Sequence, residues 1–291
     1  MLDKFRGTGV ALVTPFNEDG SIDYNGLKNL LQTTADKGVN YYVVQGTTGE
    51  SATTTSQEKT DLLKYVKGNN PKSLPIVYGI GGNNTQAIID TIKSTDLEGV
   101  DAVLSASPYY NKPSQEGIYQ HYVALAEASP IPIILYNVPG RTASNITPDT
   151  TLRLAQHKNI IGTKEASGSI AQAMDIIKNK PEDFFFTSGD DMLTVPLYAI
   201  GSIGVISVMA NGLADIFNNI YNAVTNKDFA VAAQEAFRMI EMNSLMYLES
   251  NPVGIKQLLK EQGVCKSHVR LPLVDASEDL QQKIKEACQR I

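Results

Sequence analysis

The sequence predicts an α/β protein, specifically a (β/α)8 TIM barrel with a C-terminal helical extension, and three observations lead to this prediction. Short apolar, β-branched runs recur eight times along the 291 residues, each followed by a stretch of helical periodicity. The runs begin roughly 20 to 35 residues apart, which is the length of one strand plus one helix. Most of them are apolar almost throughout, as is typical of parallel strands that are covered on both faces.

Signals for helix starts lie between the predicted strands. Thr55, with Glu58 in the first turn, marks one helix start, and Thr147 before Pro148 marks another. Eight βα units that close on themselves make a barrel of typically ~250 residues. A doubly wound open sheet is the alternative, but we find no Gly-x-Gly-x-x-Gly turn after an early strand. The predicted strands are Val10–Thr14, Tyr41–Gln45, Ile76–Ile80, Ala102–Ala106, Ile131–Tyr136, Ile160–Thr163, Phe184–Thr187 and Gly204–Val208.

The tail of the chain has no strand signal. From about Leu213 the pattern is helical to the end, interrupted by Asn251–Gly254. This stretch is too long to be the last helix of a barrel alone, so we expect a catalytic barrel over residues 1–226 and a helical bundle over residues 227–291. Its methionines are expected to pack in the core rather than to form a binding groove.

The composition excludes several classes of function. A formal charge of −6 and a pI near 5.2 argue against a nucleic-acid-binding protein, because neutralising phosphates requires a basic face. No segment approaches the ~18 uninterrupted apolar residues of a membrane span, and the first residues lack the apolar stretch of a signal peptide. We therefore expect a cytoplasmic protein without a nucleic-acid or membrane partner.

The residues that usually bind metals are scattered along the chain. Cys265 and Cys288 lack the spacing of metal ligands and suit a reducing compartment. His121, His157 and His268 are far apart in the sequence and do not form a zinc-binding motif. We expect neither a metal nor a cofactor, so the chemistry must depend on Lys, Tyr, Thr and Arg side chains.

Polar residues gather directly after predicted strands. In TIM barrels this carboxyl end of the strands is where active sites lie. The Asp190-Asp191 pair has no evident third metal ligand, and one of the two is expected to cap the next helix. The polar segments are Gly46–Ser51, Ser107–Pro113, Tyr136–Thr142, Lys164–Gly168 and Ser188–Asp191.

Lys164, at the end of the sixth apolar run, is the strongest candidate for a catalytic residue. By strand alternation it shares a face with Gly162, which we expect to leave room for a long side chain. A lysine nucleophile must be neutral, and burial favours that form. The alternative is a structural lysine whose ammonium group reaches solvent from the barrel rim.

Other polar residues suit the binding of carboxylates and the transfer of protons. Thr47 and Thr48 lie between glycines and could bind a carboxylate, although an ordinary turn would look the same. Tyr136 could transfer a proton or simply pack. Arg141 offers a planar fork for a second carboxylate, with a solvated loop cation as the alternative.

Taken together, these segments resemble the dihydrodipicolinate synthase / N-acetylneuraminate lyase family of pyruvate-dependent class I aldolases. The similarity covers essentially the whole predicted barrel and extends into the tail. Several motifs in the same order make this resemblance specific. The matching segments are Gly9–Phe16, Gly46–Ser51, Ser107–Pro113, Tyr136–Thr142, Gly162–Gly168, Ser188–Asp191, Gly204–Val208, Asn251-Pro252 and Val269–Leu273.

The resemblance implies a covalent mechanism with named residues. Lys164 would form a Schiff base with pyruvate, and Thr47 and Thr48 would bind the pyruvate carboxylate. Tyr136 would relay protons through Thr48 to Tyr110, which in the family reaches in from a neighbouring subunit. The resemblance therefore also implies a homo-oligomer, namely a tetramer of two tight dimers.

Two features favour the synthase branch over the lyases. The lyases tend to have Ser-Thr at Thr47-Thr48, and they replace the arginine that Arg141 matches. Arg141 would bind the α-carboxylate of the second substrate, whereas in a sugar pocket an unpaired arginine would be unfavourable. Gly189 and Ile206 match positions whose backbone groups line the family's pocket.

The expected substrates are therefore pyruvate and L-aspartate 4-semialdehyde, and the expected pathway is diaminopimelate and lysine biosynthesis. Another pyruvate-dependent aldolase, acting on a sugar acid or a hydroxy-oxo acid, is the alternative. A non-catalytic barrel that senses a 2-oxo acid is the alternative from a different class.

The resemblance also implies a possible feedback site for lysine at the subunit interface. Ala87, Ser56 and Lys59 stand where some members carry a carboxylate and histidines, so we expect lysine inhibition to be weak or absent. Gly254 stands where a proline is common, and we expect no consequence. The positions that match the feedback site are Ser51, Ala52, Asn83 and Tyr109.

Overall fold

Eight strands form a closed barrel in the order β1 to β8, which confirms the predicted fold class. The structure is a computed structural model that describes residues 2–291. Adjacent strands run parallel wherever their pairing is defined, from β1–β2 to β7–β8. The strands are β1 (Gly7–Ala11), β2 (Tyr41–Val44), β3 (Ile76–Gly79), β4 (Ala102–Ala106), β5 (Ile133–Asn137), β6 (Ile160–Glu165), β7 (Phe185–Ser188) and β8 (Gly204–Ser207).

Helices follow the strands and continue beyond them. Those that alternate with the strands are α1 (Tyr24–Asp36), α2 (Ser56–Gly68), α3 (Thr85–Ser94), α4 (Gln115–Ala128), α5 (Pro139–Thr142), α6 (Pro148–Leu154), α7 (Ile170–Asn179) and α8 (Thr194–Ala199). Those after β8 are α9 (Ala214–Thr225), α10 (Phe229–Arg238), α11 (Ile240–Leu248), α12 (Val253–Glu261) and α13 (Glu278–Cys288). Short 3-10 helices cover Leu2–Phe5, Thr47–Gly49 and Met209–Asn211.

Both predicted helix starts are confirmed. The Thr55 hydroxyl accepts a hydrogen bond from the Glu58 backbone N–H, and the Glu58 carboxylate accepts one from the Thr55 N–H. This reciprocal capping box satisfies two backbone donors that a helix leaves unpaired. The Thr147 side chain likewise caps α6 by accepting from the Thr150 N–H, with Pro148 at the first helical position.

Seven of the eight strands differ from the predicted ranges by one to three residues at one or both ends, and two of these differences matter most. β1 begins at Gly7 rather than at Val10, because Gly9 pairs with Tyr41 and leaves space for its ring. A Cβ atom on Gly9 would lie only 2.1 Å from that ring, so the strand requires a residue with low strand propensity. β6 continues to Glu165 instead of ending at Thr163, which places Lys164 inside the strand.

The tail departs from continuous helix between α12 and α13. Gly263, at a φ of 69°, adopts the left-handed conformation that commonly ends a helix. The prediction of helix to the end is therefore wrong for residues 262–277. No helix within residues 2–291 is long and apolar enough to cross a membrane.

By packing, the chain divides into two compact units. One contains the N-terminal residues up to Arg6 and Pro75–Ile206, and its core includes a cluster around Phe186. The other contains Gly7–Leu74 and Ser207–Ile291. The division into a barrel over residues 1–226 and a bundle over residues 227–291 stays a prediction.

Candidate active site

Lys164 and Tyr136 are neighbours on the adjacent strands β6 and β5. The strand register pairs the two residues directly. Lys164 is only 5% exposed, and its Nζ atom lies 4.3 Å from the centroid of the Tyr136 ring. A buried amine beside a phenol ring can act as a nucleophile, with the phenol as a proton donor or acceptor.

The space for the Lys164 side chain comes from Gly189, which directly follows β7. A Cβ atom on Gly189 would lie 3.0 Å from Cε and 3.1 Å from Cγ of Lys164. The Gly189 backbone N–H also donates to the Glu165 carbonyl oxygen at 2.7 Å. The interpretation of Gly162 is wrong in this respect, because a Cβ atom there would meet the Phe185 ring at 2.6 Å.

Beyond this pair, the two strands carry a second polar pair that sequence reasoning missed. Asn137 and Glu165 are also in register, and each is almost completely buried. Asn137 Nδ2 donates to both carboxylate oxygens of Glu165, at 3.2 and 3.0 Å. Strand alternation places this pair on the face opposite to Lys164, where an apolar side chain is the rule. Two polar residues at matching positions of neighbouring strands were the available signal.

Tyr110 lies in the segment after β4 and points away from the buried part of the chain. Its side chain is 88% exposed, and its φ of 72° is left-handed, which is unfavourable for a residue other than glycine. Arg141 is also exposed, in the short helix α5 after β5. Ile206 is buried in β8.

The Thr47-Thr48 segment forms a 3-10 turn after β2. Thr47 is exposed, whereas Thr48 is buried and its hydroxyl oxygen accepts a hydrogen bond from Asn251 Nδ2 at 3.1 Å. Gly49 lies against the segment that follows β1, because its carbonyl oxygen accepts from the Thr14 hydroxyl at 2.7 Å. The turn is therefore fixed on two sides.

A buried ion pair follows the turn, and no sequence motif indicated it. The Lys256 ammonium is fully buried and donates to Glu50 at 2.5 Å and to the His268 carbonyl oxygen at 2.8 Å. Burial lowers the pKa of Lys256, and the Glu50 carboxylate opposes this effect. Arg270 adds a backbone N–H to Glu50 at 3.0 Å, and both cations lie over the Phe16 ring.

The remaining predicted residues have local roles or lie at the surface. Asp190 Oδ1 accepts backbone N–H groups from Met192 and Leu193 in the turn before α8. The N-cap residue of α8 is Leu193, which makes no side-chain capping bond, so the capping interpretation is not confirmed. Within residues 2–291 no three His, Cys, Asp or Glu side chains are grouped as metal ligands would be. Of the positions predicted for lysine feedback, Ser51 is half-buried, and the exposed ones are Ala52, Asn83 and Tyr109.

A closed parallel barrel with a buried lysine at the carboxyl end of β6 defines a (β/α)8-barrel enzyme. The profile of the Dihydrodipicolinate synthetase family matches residues 4–291. The chain belongs to the dihydrodipicolinate synthetase family, which confirms the resemblance seen in the sequence.

Named relatives and solved structures agree with this assignment. The chain is 52% identical over 286 residues to the 4-hydroxy-tetrahydrodipicolinate synthase of Cytophaga hutchinsonii, covering 98% of this chain and 96% of the relative. It is 48% identical to that of Flavobacterium psychrophilum, covering 97% of each. The dihydrodipicolinate synthase structure from Bacillus anthracis matches with a TM-score of 0.95 and 38% identity, over 99% and 98% of the chains. The Acinetobacter baumannii enzyme, complexed with pyruvate, matches with a TM-score of 0.94 and 36% identity, over 98% of each chain.

Proposed function

We propose that this protein is a 4-hydroxy-tetrahydrodipicolinate synthase, a lyase that condenses pyruvate with L-aspartate 4-semialdehyde in diaminopimelate and lysine biosynthesis. The observation that carries the proposal is the buried Lys164 beside the Tyr136 ring, in a chain about half identical to synthases of that name.

The proposed reaction begins at Lys164. Its neutral amine adds to the C2 carbon of pyruvate, and loss of water gives an iminium ion. The iminium withdraws electrons, so the methyl group loses a proton and an enamine forms. The enamine carbon attacks the aldehyde carbon of the semialdehyde. The amine of the bound semialdehyde then displaces Lys164, which closes the ring and frees the enzyme.

Proton transfer is assigned to a relay of three hydroxyl groups. Tyr136 exchanges protons with the reacting atoms, and Thr48 passes them on to Tyr110 of a neighbouring subunit. Two observations support this assignment: Tyr136 lies against Lys164, and the Tyr110 side chain is exposed on its own protomer. Tyr110 acting in this way requires at least a dimer, and we propose a tetramer of two tight dimers.

Substrate binding is assigned to groups around this relay. Thr47 and Thr48 bind the pyruvate carboxylate, and backbone groups of Gly189 and Ile206 line the pocket. Arg141 binds the α-carboxylate of aspartate semialdehyde as a fork. The short helix that carries Arg141 directly follows Tyr136's strand, which supports this role.

A covalent-trapping experiment tests the proposal. Incubation with pyruvate and borohydride, followed by mass spectrometry, should show one reduced adduct per chain, located on Lys164 and absent from Lys164→Ala. The fully buried Lys256 serves as the internal control, because it should stay unmodified. Absence of an adduct would refute the covalent mechanism.

A substrate panel separates the synthase from its relatives. Turnover with aspartate semialdehyde should greatly exceed cleavage of N-acetylneuraminate or condensation with sugar aldehydes. Faster turnover of a sugar acid would instead assign the chain to another pyruvate-dependent aldolase activity.

A further inference from the structure

Glu165, the residue after Lys164, is a buried carboxylate that the proposed mechanism does not use. It is 3% exposed and has no ion-pair partner among residues 2–291. Its oxygens accept hydrogen bonds from neutral donors: Asn137 Nδ2, the Ser167 backbone N–H at 2.7 Å, and Gln172 Nε2 at 3.0 Å. Burying a carboxylate without a cation is unfavourable unless hydrogen bonds compensate, so this carboxylate needs an explanation.

The hydrogen bonds of Glu165 extend into the segment that carries Arg141. Asn145, four positions after Arg141, accepts from Asn137 Nδ2 at 2.8 Å and donates to Gln172 Oε1 at 3.0 Å. The Ile146 backbone N–H donates to Asn137 Oδ1 at 2.9 Å. Residues 138–147 are therefore joined to β5 and β6 through one chain of side-chain amides that ends on the Glu165 carboxylate.

The hydrogen-bond donors and acceptors of this series of amides are all matched only if both terminal side-chain atoms of residue 165 are acceptors. The Ile146 N–H fixes the orientation of the Asn137 amide, which fixes Asn145 and then Gln172. As a result, two amide N–H groups and the Ser167 N–H all point at residue 165. A glutamine there would present an NH2 group to one of these donors. Rotating the side-chain amides of Gln172, Asn145 and Asn137 by 180° would remove this clash of donors at residue 165. It would then place the Asn137 NH2 group against the Ile146 backbone N–H, whose orientation is fixed.

We propose that Glu165 is a positioning residue, whose carboxylate sets the orientation of the amide chain and thereby holds the Arg141 segment in place for the second substrate. The inference rests on the proposed function, because it assigns Arg141 to the carboxylate of aspartate semialdehyde. Asn137 and Glu165 come one residue after Tyr136 and Lys164, on strands whose ends are already held together by backbone pairing, so the role of the Glu165 side chain is separate from the placement of Lys164.

The substitution Glu165→Gln tests this inference because it keeps the shape of the side chain but replaces one acceptor oxygen with an NH2 donor and removes the charge. We expect kcat/KM for aspartate semialdehyde to fall about 10- to 100-fold, mainly through KM, since displacement of a binding group by ~1 Å has effects of this size. Formation of the pyruvate adduct should change by less than about twofold, because Lys164 and its pocket stay in place. The matched control is Glu182→Gln, the same change at an exposed site before β7, which should match the wild type.

A second pair of variants separates hydrogen-bond polarity from general packing. The double variant Glu165→Gln/Gln172→Glu exchanges the donor and the acceptor of one hydrogen bond. The amide introduced at position 165 can then donate to the carboxylate introduced at position 172. The double variant should recover the lost kcat/KM only in part, by about threefold or more, because Gln172 Nε2 also donates to the Ile146 carbonyl oxygen at 3.3 Å and a carboxylate cannot. Asn145→Ala, which removes a half-buried link of the amide chain, should raise the KM for aspartate semialdehyde selectively as well.

The outcomes distinguish the inference from the proposed function. If the wild type forms no pyruvate adduct, the proposed function itself fails. If the wild type forms the adduct and turns over, but Glu165→Gln leaves KM for aspartate semialdehyde unchanged, the inference fails. The inference also fails if adduct formation and kcat/KM fall in equal proportion, because that indicates a loss of structure around both substrates.

Discussion

Gly189 determines how much space the Lys164 side chain has. A methyl group at this position would press on Cε and Cγ of Lys164 and on the Ala166 side chain at 2.7 Å. We expect Gly189→Ala to slow formation of the pyruvate adduct about tenfold or more, because the amine would be displaced from its attacking position. Borohydride trapping over time measures this rate. Gly68→Ala is the control, since a Cβ atom at the end of α2 meets nothing within 4 Å. Equal rates for both variants would contradict the role of Gly189.

The residues at the predicted feedback positions argue against tight lysine binding. Lys59 brings an ammonium group, and Ala87 stands where the sequence resemblance implies a carboxylate in some family members. We expect an inhibition constant for L-lysine above about 1 mM, and Ala87→Glu should lower it by adding a partner for a cation. Activity measured against lysine concentration checks both statements, and a tight saturable curve for the wild type would refute the first.

Gly254 allows helix α12 to approach α11 closely, a consequence that the sequence did not reveal. A Cβ atom there would lie 2.6 Å from the Met246 Cα and 2.8 Å from the Leu245 carbonyl oxygen, which are backbone atoms and cannot move away alone. We expect Gly254→Ala to lower the free energy of unfolding by roughly 1–3 kcal/mol, the usual cost of overpacking. Urea unfolding measures it, and Gly68→Ala should change stability by less than about 0.5 kcal/mol.

His121 makes the packing of α3 against α4 sensitive to pH. Its Nδ1 atom shares a hydrogen bond with the Thr85 hydroxyl at 2.9 Å, and its Nε2 atom is buried without a partner among residues 2–291. Burial lowers the pKa of His121 to about 4. In the unfolded chain His121 binds a proton near pH 6.5, whereas in the folded chain it stays neutral until about pH 4. The free energy of unfolding therefore falls as the pH drops from about 6.5 towards 4.

The size of this effect follows from the difference between the folded and unfolded pKa values. Between pH 7 and pH 5 the wild type should lose about 2 kcal/mol of unfolding free energy through His121. His121→Gln should lack this component, because glutamine does not titrate. Urea unfolding of both proteins at the two pH values gives the difference, and identical losses would show that His121 is not responsible.

At the scale of the whole molecule, the proposed role of Tyr110 can be tested by mixing subunits. Lys164→Ala and Tyr110→Ala should each be nearly inactive alone. A mixed dimer has one site with an intact Lys164 and an intact Tyr110 from its neighbour. Random mixing in equal amounts should therefore restore about a quarter of wild-type activity, since half of the dimers are mixed and each has one working site. No recovery after subunit exchange would place Tyr110 outside a shared site.

The sequence predicted the barrel because period and composition repeat in every βα unit, and family motifs indicated the residues that we propose for the site. It did not predict contacts that depend on three-dimensional packing. Gly162 and Gly189 are both next to polar segments, and only the packing of Phe185 and Lys164 tells their roles apart. The start of β1 was missed because Gly9 is a poor strand former that the Tyr41 ring requires. Glu165 was passed over because hydrogen bonds to amides leave no charge pattern in a sequence.

The order of synthesis sets a limit on when the Thr47–Glu50 turn can be completed. Its partners Asn251, Lys256 and Arg270 lie 203, 206 and 220 positions later in the chain. At translation rates of about 5–20 residues per second, a nascent chain waits about 10 to 40 s for these partners. During that time Glu50 has neither its cation nor its backbone donor. A ribosome-bound fragment that stops before residue 251 should therefore lack an ordered Thr47–Glu50 turn, however much of the barrel it has already formed.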